Sequence, residues 1–174
     1  AEEILTEEDF IPITAVDAFC KVEDVTLAAI EDMQKLAPFG VGNPKPRIAV
    51  KDAELESIRA IGSDGSHLKM ALRDGQATLD TIGFGFGAYA KEISPVAKVS
   101  VIGEASINEW NNFKKPQLMV KDIAVEAWQL FDWRSMRNVE ANVAELPKEK
   151  ITMVYFSKEV LHKFSLEDYK EHMM

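Results

Sequence analysis

The segment NEWNNFKKPQ, residues 108–117, concentrates side chains that are suited to binding a ligand. Within ten residues it holds two aromatic rings, three asparagines, a glutamine and two lysines. Aromatic rings stack on nucleic acid bases and lysines attract the phosphate backbone, so this combination is typical of a surface for single-stranded nucleic acid. The candidate binding residues in this segment are Trp110, Asn111, Phe113, Lys114, Lys115 and Gln117.

Other cations and aromatic side chains lie earlier in the chain, on the polar faces and turns of predicted strands. An exposed lysine usually serves only solubility, and a phenylalanine usually packs in the core. Each of these residues alone therefore has a simpler explanation than binding, and they are candidates only as a set. The set consists of Arg59, His67, Lys69, Arg73, Phe84, Phe86 and Lys121.

Sequence patterns that would indicate catalysis are missing. The paired acids at residues 7–9, 23–24 and 31–32 have no histidine or second acidic cluster in register, so we expect solvated faces there. GFGFG at 83–87 lacks the Lys-Ser/Thr of a phosphate-binding loop, and its glycines fit barrel curvature or a close backbone approach better. Cys20 is expected to be a packed thiol, and the three histidines lie far apart in sequence. We therefore predict no catalytic residue, no metal site and no cofactor in this chain.

Composition is typical of a soluble globular protein. The hydrophobic fraction is 47% and the charged fraction 28%, both ordinary values. The single cysteine excludes an intrachain disulfide. The N-terminus AEEILTEEDF is acidic rather than basic and then apolar, and no apolar run approaches the roughly 20 residues of a membrane helix. We expect a cytoplasmic protein with no membrane partner.

Charge is distributed unevenly along the chain. The formal net charge of −9 by itself argues against a nucleic acid partner. Residues 1–37 hold 2 basic and 10 acidic side chains, whereas residues 38–124 hold 11 basic and 10 acidic ones. The middle of the chain is thus near neutral, and it can present a basic face if its acidic side chains point elsewhere.

Residues 1–37 are predicted to form an acidic arm followed by a connector helix. The first 22 or so residues are expected to be extended, because Pro12 and the lack of a helical period disfavour a helix there. The helix begins after an N-cap at Thr26, and Pro38 stops it. The segment LAPFGVGNPKP, residues 36–46, then marks a boundary, and its Gly-Asn-Pro turn leads into a strand at Arg47.

Residues 38–125 change to a period of two and are predicted to form a five-stranded barrel. Tight turns connect the first three strands as an antiparallel meander, a short helix-like piece follows, and two more strands are joined by a loop. This order, with a helix between the third and fourth strands, is that of an OB-fold and favours it over an SH3-like barrel. The predicted ranges are 47–62, 67–73, 77–85, 98–110 and 117–125 for the strands, 86–93 for the helix and 111–116 for the loop.

Residues 126–174 are predicted to be a linker and the start of a C-terminal α/β domain. ITMVYF at 151–156 is typical of a buried strand, and 165–174 has the pattern of a short capped helix. One strand and one or two helices cannot bury a core, so this piece either packs on the barrel or begins a domain that the chain truncates. The predicted fold class is mainly β with α: an OB-fold barrel, an N-terminal connector helix and a short C-terminal α/β extension.

Four segments together resemble the OB-fold part of the RecJ family of single-stranded-DNA-specific exonucleases. In order they are LAPFGVGNPKP, HLKMALRDG, LDTIGFGFG and INEWNNFKKPQLMVKDI, and the resemblance runs from about Leu27 to Ile123. The four segments in this order identify the family more specifically than any one of them does alone. QLFDWRS at 129–135 further resembles the start of the extra C-terminal region of RecJ proteins from Gram-positive bacteria.

The resemblance implies a parent enzyme that degrades single-stranded DNA from the 5′ end in recombination and repair, with Mn or Mg as its metal. In that family the Asp-His-His motif and the Gly-Gly-His-type motif that bind metal belong to two domains before this segment, and neither motif occurs here. The resemblance therefore implies a fragment that is not itself an enzyme. It also implies a barrel that contacts single-stranded DNA and feeds it towards the active site.

Two hypotheses follow for the function of the chain. In the first, it is the single-stranded-DNA-binding OB module of a RecJ-like exonuclease, with DNA and the catalytic domains of the same parent chain as partners. In the alternative, it is a protein-interaction or structural module that packs on the catalytic core or recruits single-strand-binding protein. The net charge of −9 and the acidic arm favour the alternative.

Overall fold

The computed structural model describes residues 14–125 and 129–131, together with the backbone of two further strands, Thr152–Tyr155 and Lys170–Met173. The chain divides into two compact units, residues 1–131 and 132–174. In the described part of the chain, no helix is long and apolar enough to cross a membrane.

The first unit contains six strands and two short α-helices among its described residues. A 3-10 turn at Val22–Asp24 precedes the first helix. In chain order the elements are β1 (Ala18–Cys20), α1 (Leu27–Gln34), β2 (Arg47–Ile61), β3 (His67–Asp74), β4 (Ala77–Gly83), α2 (Tyr89–Glu92), β5 (Lys98–Trp110) and β6 (Phe113–Val125).

Five of these strands close into a barrel. Antiparallel pairs join β2 to β3, β3 to β4 and β5 to β6, whereas β4 and β6 are parallel. The pairing of β2 with β5 completes the circle, so no strand edge is left open within the barrel. β1 adds a short parallel strand beside the first part of β2. The predicted OB-fold barrel, with a helix between its third and fourth strands, is confirmed.

The core lies inside the barrel and follows the period of two that the sequence shows. On β3, Leu68, Met70 and Leu72 are fully buried, while the side chains between them point outward. Further fully buried or nearly fully buried side chains come from every other barrel strand, among them Val50, Leu79, Val101 and Leu118. Each such aliphatic side chain contributes about 1.5–3 kcal/mol relative to an exposed position.

The connector helix α1 begins where the sequence predicts and ends earlier. The Thr26 hydroxyl oxygen accepts a hydrogen bond from the Ala29 amide at 3.1 Å, which confirms the N-cap. The helix stops at Gln34, and the next residues form a turn. The Asn43 side-chain amide donates to the Leu36 and Pro38 carbonyls at 3.0 and 2.9 Å. These two hydrogen bonds hold residues 36–46 in a turn that leads into β2, and we call this segment the tied turn.

The predicted loop 111–116 is wrong, because most of it belongs to a strand. Asn111 and Asn112 alone form the turn, with φ angles of 49° and 63°. Asparagine tolerates this left-handed conformation, which a two-residue hairpin turn requires at both positions. β5 and β6 therefore remain paired up to Trp110 and Phe113, and the two strands form a long hairpin.

The described part of the second unit is a pair of parallel strands, β7 (Thr152–Tyr155) and β8 (Lys170–Met173). The strand predicted at 151–156 is confirmed by β7. The helix predicted at 165–174 is wrong at residues 170–173, whose backbone pairs with β7; residues 165–169 lie outside the described part. The capping pattern is a local sequence signal for a helix. In the structure, the backbone N–H and C=O groups of residues 170–173 pair with β7 instead.

Candidate nucleic-acid interface

The barrel presents an outward face on β2 and β3 that carries cations. Because Met70 points inward, its neighbour Lys69 points outward, and so does Arg59, which lies directly opposite Lys69 on β2. Like charges directly opposite each other in a sheet are destabilising. The pair therefore favours an anion that would lie between the two side chains.

The same outward face continues across β4 to the β5–β6 hairpin. Asp80 on β4 is level with Gln117 on β6, and Lys69 reaches Asp80 at 3.7 Å. Along β6 the outward positions alternate from Gln117 to Lys115 and Phe113. Phe113 pairs directly with Trp110 across the hairpin. We call this surface the outer strip, defined by Arg59, Lys69, Gln117, Lys115, Phe113 and Trp110.

The aromatic end of the outer strip is solvent-exposed. Trp110 is 74% exposed and Phe113 is 76% exposed, although they are large apolar rings. Directly opposite residues of an antiparallel pair point to the same side of the sheet, so both rings project from the same face. Neither ring contributes to the core. Two exposed rings beside a lysine form a surface on which bases can stack.

Ion pairs occupy several of the candidate cations. Arg73 lies 3.0 Å from Glu54, and Lys121 lies 3.2 Å from Glu104. Exposed ion pairs of this kind contribute about 0–1 kcal/mol, so a phosphate can compete for the cation. Arg59 and Lys115 form no ion pair with any described residue. They are the cations of the outer strip that are free to contact a ligand without first breaking a pair.

Three of the candidates do not lie on the outward face. Lys114 points to the opposite face of the hairpin, where its ammonium lies 3.8 Å from the Glu109 carboxylate. Phe86 is half-buried and packs against the core, with its ring 5.6 Å from that of Tyr89. Asn111 lies in the hairpin turn rather than on a strand face.

His67 and Phe84 lie together at the other end of the outward face. The ring of Phe84 is 56% exposed and meets the His67 imidazole edge-on, at 5.0 Å between centroids. The Gly85 amide donates to Nδ1 of His67 at 3.3 Å. The Gly87 amide donates to the Ser66 carbonyl at 2.9 Å, and a Cβ at Gly87 would overlap the Gly65 carbonyl oxygen. The chain after β4 is thus held tightly against the turn before β3.

The Asp64 carboxylate stabilises the turn before β3, against which the loop after β4 packs. This carboxylate accepts the Ser66 amide at 3.1 Å. Hydrogen bonds from the Ser66 side chain and then from backbone amides hold the pKa of Asp64 below its ordinary value of 3.8. The turn therefore keeps this contact at neutral pH and loses it only as the pH falls through that lowered pKa.

Sequence reasoning missed Asn108, which the structure places on the outward face opposite Lys115. Counting back in steps of two from Trp110 would have found it, since successive side chains of a strand alternate between faces. Ile82 and Met119 were also missed. They form a half-buried apolar pair between Lys69 and Glu104 on the same face.

Histidine, cysteine and acidic side chains are the groups that could hold a metal ion or act as a nucleophile. No group of three or more His, Cys, Asp or Glu side chains among them is placed to hold a metal ion, so these residues do not fit Mn or Mg. Burial first, and then the nearby Asp24 charge, raise the pKa of the Cys20 thiol. Its Sγ lies 3.9 Å from the Ala49 carbonyl oxygen. A thiol with a raised pKa is a poor nucleophile.

A small groove of about 90 Å³ lies between α1, the tied turn and β5. Apolar side chains in its lining are Ile30, Met33, Phe39 and Pro46, and the polar ones are Gln34 and Lys45; Ala105 and Ser106 lie on the β5 side. Beside it, Leu36 is exposed and Val41 is fully exposed. The exposed apolar side chains of Leu36 and Val41 are of the kind that marks protein contacts.

A family model and a known relative both match the amino-acid sequence of this chain. A family model described as the RecJ OB domain matches residues 16–122. The single-stranded-DNA-specific exonuclease RecJ of Bacillus subtilis (strain 168) is 48% identical over 168 residues, which cover 97% of this chain and 21% of that protein. The chain thus spans about a fifth of the length of that relative.

A solved structure has the same fold. RecJ from Thermus thermophilus, in complex with Mn²⁺, aligns with a TM-score of 0.51 at 20% sequence identity. The alignment covers 91% of this chain and 24% of that chain. At this identity the match concerns the fold alone.

Proposed function

This chain belongs to the RecJ family through its OB domain, and from that premise we propose that its barrel binds single-stranded DNA within a RecJ-like exonuclease. The observation that carries the proposal is the outer strip. Two exposed rings, Trp110 and Phe113, lie on the same face as Arg59 and Lys115, the two cations that form no ion pair with a described residue.

The outer strip can hold a single strand by two contributions. Bases stack on the rings at about 1–3 kcal/mol each, and the cations contact phosphates with release of counterions. The Asn108 and Gln117 side chains on the same face supply hydrogen-bond donors and acceptors. A duplex hides the faces of its bases and cannot use the two rings, so this surface prefers a single strand.

The reaction of the parent enzyme is assigned to other domains. On this proposal the parent degrades single-stranded DNA from its 5′ end in recombination and repair, with Mn or Mg bound outside this chain. The barrel holds the strand and presents it to the catalytic domains. The fragment then binds DNA and does not hydrolyse it.

A fluorescence titration tests the proposal. A labelled oligonucleotide of about 12 nucleotides is titrated with the chain at low salt, as a single strand and as a duplex, since OB-folds contact about 4–16 nucleotides. We expect saturable binding of the single strand and weaker binding of the duplex. Failure to bind, or equal affinity for both forms, would refute the proposal.

The apolar groove favours a second function for a different surface. Leu36 and Val41 are exposed beside the pocket lined by Ile30 and Phe39, and exposed apolar patches mark protein contacts. The proposed occupants are the catalytic domains of the parent chain or single-strand-binding protein. Retention of the chain on the immobilised catalytic domains, lost on Val41→Asp but unaffected by Trp110→Ala, would support this contact as separate from the DNA surface.

A further inference from the structure

The outward face of the barrel has an exposed aromatic ring at both ends. Trp110 and Phe113 lie at the hairpin end, and Phe84 lies at the other end, beside His67. The cations of the outer strip occupy the face between them. Such an arrangement can contact bases at two separated points and phosphates in the middle.

The ladder between β4 and β6 gives the separation of the two ends. Ile82 is paired with Met119. Phe84 follows Ile82 by two residues, and Phe113 precedes Met119 by six, so the rings are about eight residues apart along the strand direction. At about 3.3 Å per residue this is roughly 26 Å. A stacked single strand advances about 3.4 Å per nucleotide and would cover that distance with roughly eight nucleotides.

The contacts around Phe84 hold this ring in place. Phe84 follows β4 in a turn, where an exposed side chain would ordinarily be free to reorient. The Gly85 amide hydrogen bond to Nδ1 of His67 and the edge-on ring contact fix the turn on one side. The Gly87 amide bond to Ser66 fixes it on the other side. Nδ1 of His67 accepts the hydrogen bond from Gly85, so this nitrogen is not itself available to donate to DNA.

We infer that Phe84 is a second base-stacking site, and that His67 is a positioning residue that holds it there rather than a direct DNA contact. This inference rests on the proposed function of the outer strip. It adds a length requirement: a strand of about eight nucleotides or more engages both aromatic ends, and a strand of four nucleotides, about 14 Å long when stacked, engages only one.

The test measures affinities for thymidine oligomers of four and twelve nucleotides at one salt concentration. Phe84→Ala is expected to weaken binding of the longer oligomer by about 5- to 150-fold, the value of one stacked base. It should weaken binding of the shorter oligomer by at most about twofold, because the hairpin end remains available. Phe19→Ala is the matched control, since Phe19 is also an exposed phenylalanine but lies on β1, outside the outer strip.

Two substitutions at His67 separate positioning from packing. His67→Asn keeps an acceptor oxygen near the position of Nδ1, so binding of the longer oligomer should remain within about twofold of the unsubstituted chain. His67→Leu removes the acceptor, and its loss should follow that of Phe84→Ala and be confined to the longer oligomer. Thermal unfolding of each variant checks that the barrel is intact.

The outcomes distinguish this inference from the proposed function. If neither the four-nucleotide nor the twelve-nucleotide oligomer binds, the proposed function itself is refuted. Normal binding of both oligomers with no effect of Phe84→Ala would overturn the second stacking site alone. Equal losses for both oligomers in Phe84→Ala would overturn the length requirement. Equal affinities of His67→Asn and His67→Leu for the longer oligomer would overturn the role of the Nδ1 hydrogen bond in positioning Phe84.

Discussion

Removal of the two unpaired cations of the outer strip should reduce the salt dependence of DNA binding. The double variant Arg59→Ala/Lys115→Ala leaves the barrel core unchanged, because both side chains point outward and neither forms an ion pair with a described residue. Lys69 remains as the third cation of the strip, already within 3.7 Å of Asp80.

The magnitude follows from the number of phosphates that the strip can neutralise. With three phosphate contacts, the slope of log affinity against log salt is about −0.7 per contact, or roughly −2. Affinity should then fall about 20-fold between 50 and 200 mM salt. With one contact left, the slope is about −0.7 and the fall over the same range is about threefold.

The assay is the oligonucleotide titration, repeated at several salt concentrations for three proteins. The control is Lys51→Ala/Lys91→Ala, which removes the same net charge from two exposed lysines outside the strip. We expect the control to keep the slope of the unsubstituted chain. Equal slopes for all three proteins would refute the role of Arg59 and Lys115, and an equal decrease in both variants would show that only the overall charge matters.

Four further results are expected. Lys114→Ala should leave DNA affinity within about twofold in the same titration, because Lys114 points to the other face and pairs with Glu109; a loss as large as that of a strip cation would contradict this face assignment. Gly87→Ala should lower the Tm, because the new Cβ would overlap backbone atoms rather than a movable side chain. Leu118→Ala should lower the free energy of unfolding, measured with denaturant, by about 2–5 kcal/mol, because it leaves a cavity in the core. Cys20 should be alkylated more slowly in the folded chain than in urea at pH 8, because its raised pKa leaves less thiolate; equal rates would show that the thiol is not protected.

The barrel could be predicted because its strands carry their own signal. On β3 the alternation of Leu68, Met70 and Leu72 with polar residues matches the burial of the strand position by position. Turn residues at Gly62–Ser66 and at Gly75 mark both ends of that strand, and glycine supplies the positive φ found at Gly62, Gly65 and Gly75. The closure of β2 on β5 could not be predicted in the same way, because it joins residues about 50 positions apart.

The sequence predicts the binding candidates from their residue types. Which face of the sheet each side chain lies on depends on the strand register, which only the structure gives. Lys114 and Lys115 are adjacent in sequence, and only the two-residue turn at Asn111 and Asn112 decides that Lys115 points outward. A longer loop in that place leaves the orientation of both lysines open. Two consecutive asparagines between aromatic residues are a signal for such a turn that could have been used.

Phe84 and Phe86 could not be separated from sequence, because both lie in GFGFG with the same neighbours. Tertiary contacts decide between them: Phe86 packs against the core, and Phe84 meets His67 at the surface. The strand at 170–173 shows the same limit, since a local helical pattern gave way to pairing with residues 152–155.

A map of DNA contacts by NMR shows directly whether the outer strip binds single-stranded DNA. A labelled chain is titrated with a twelve-nucleotide thymidine oligomer, and the amide and indole resonances are followed. We predict the largest shifts at the Trp110 indole and at the amides of Lys69, Lys115 and Gln117. Shifts confined to α1 and to the groove beside Phe39, with the outer strip unchanged, would contradict the claim that this face of the barrel binds single-stranded DNA.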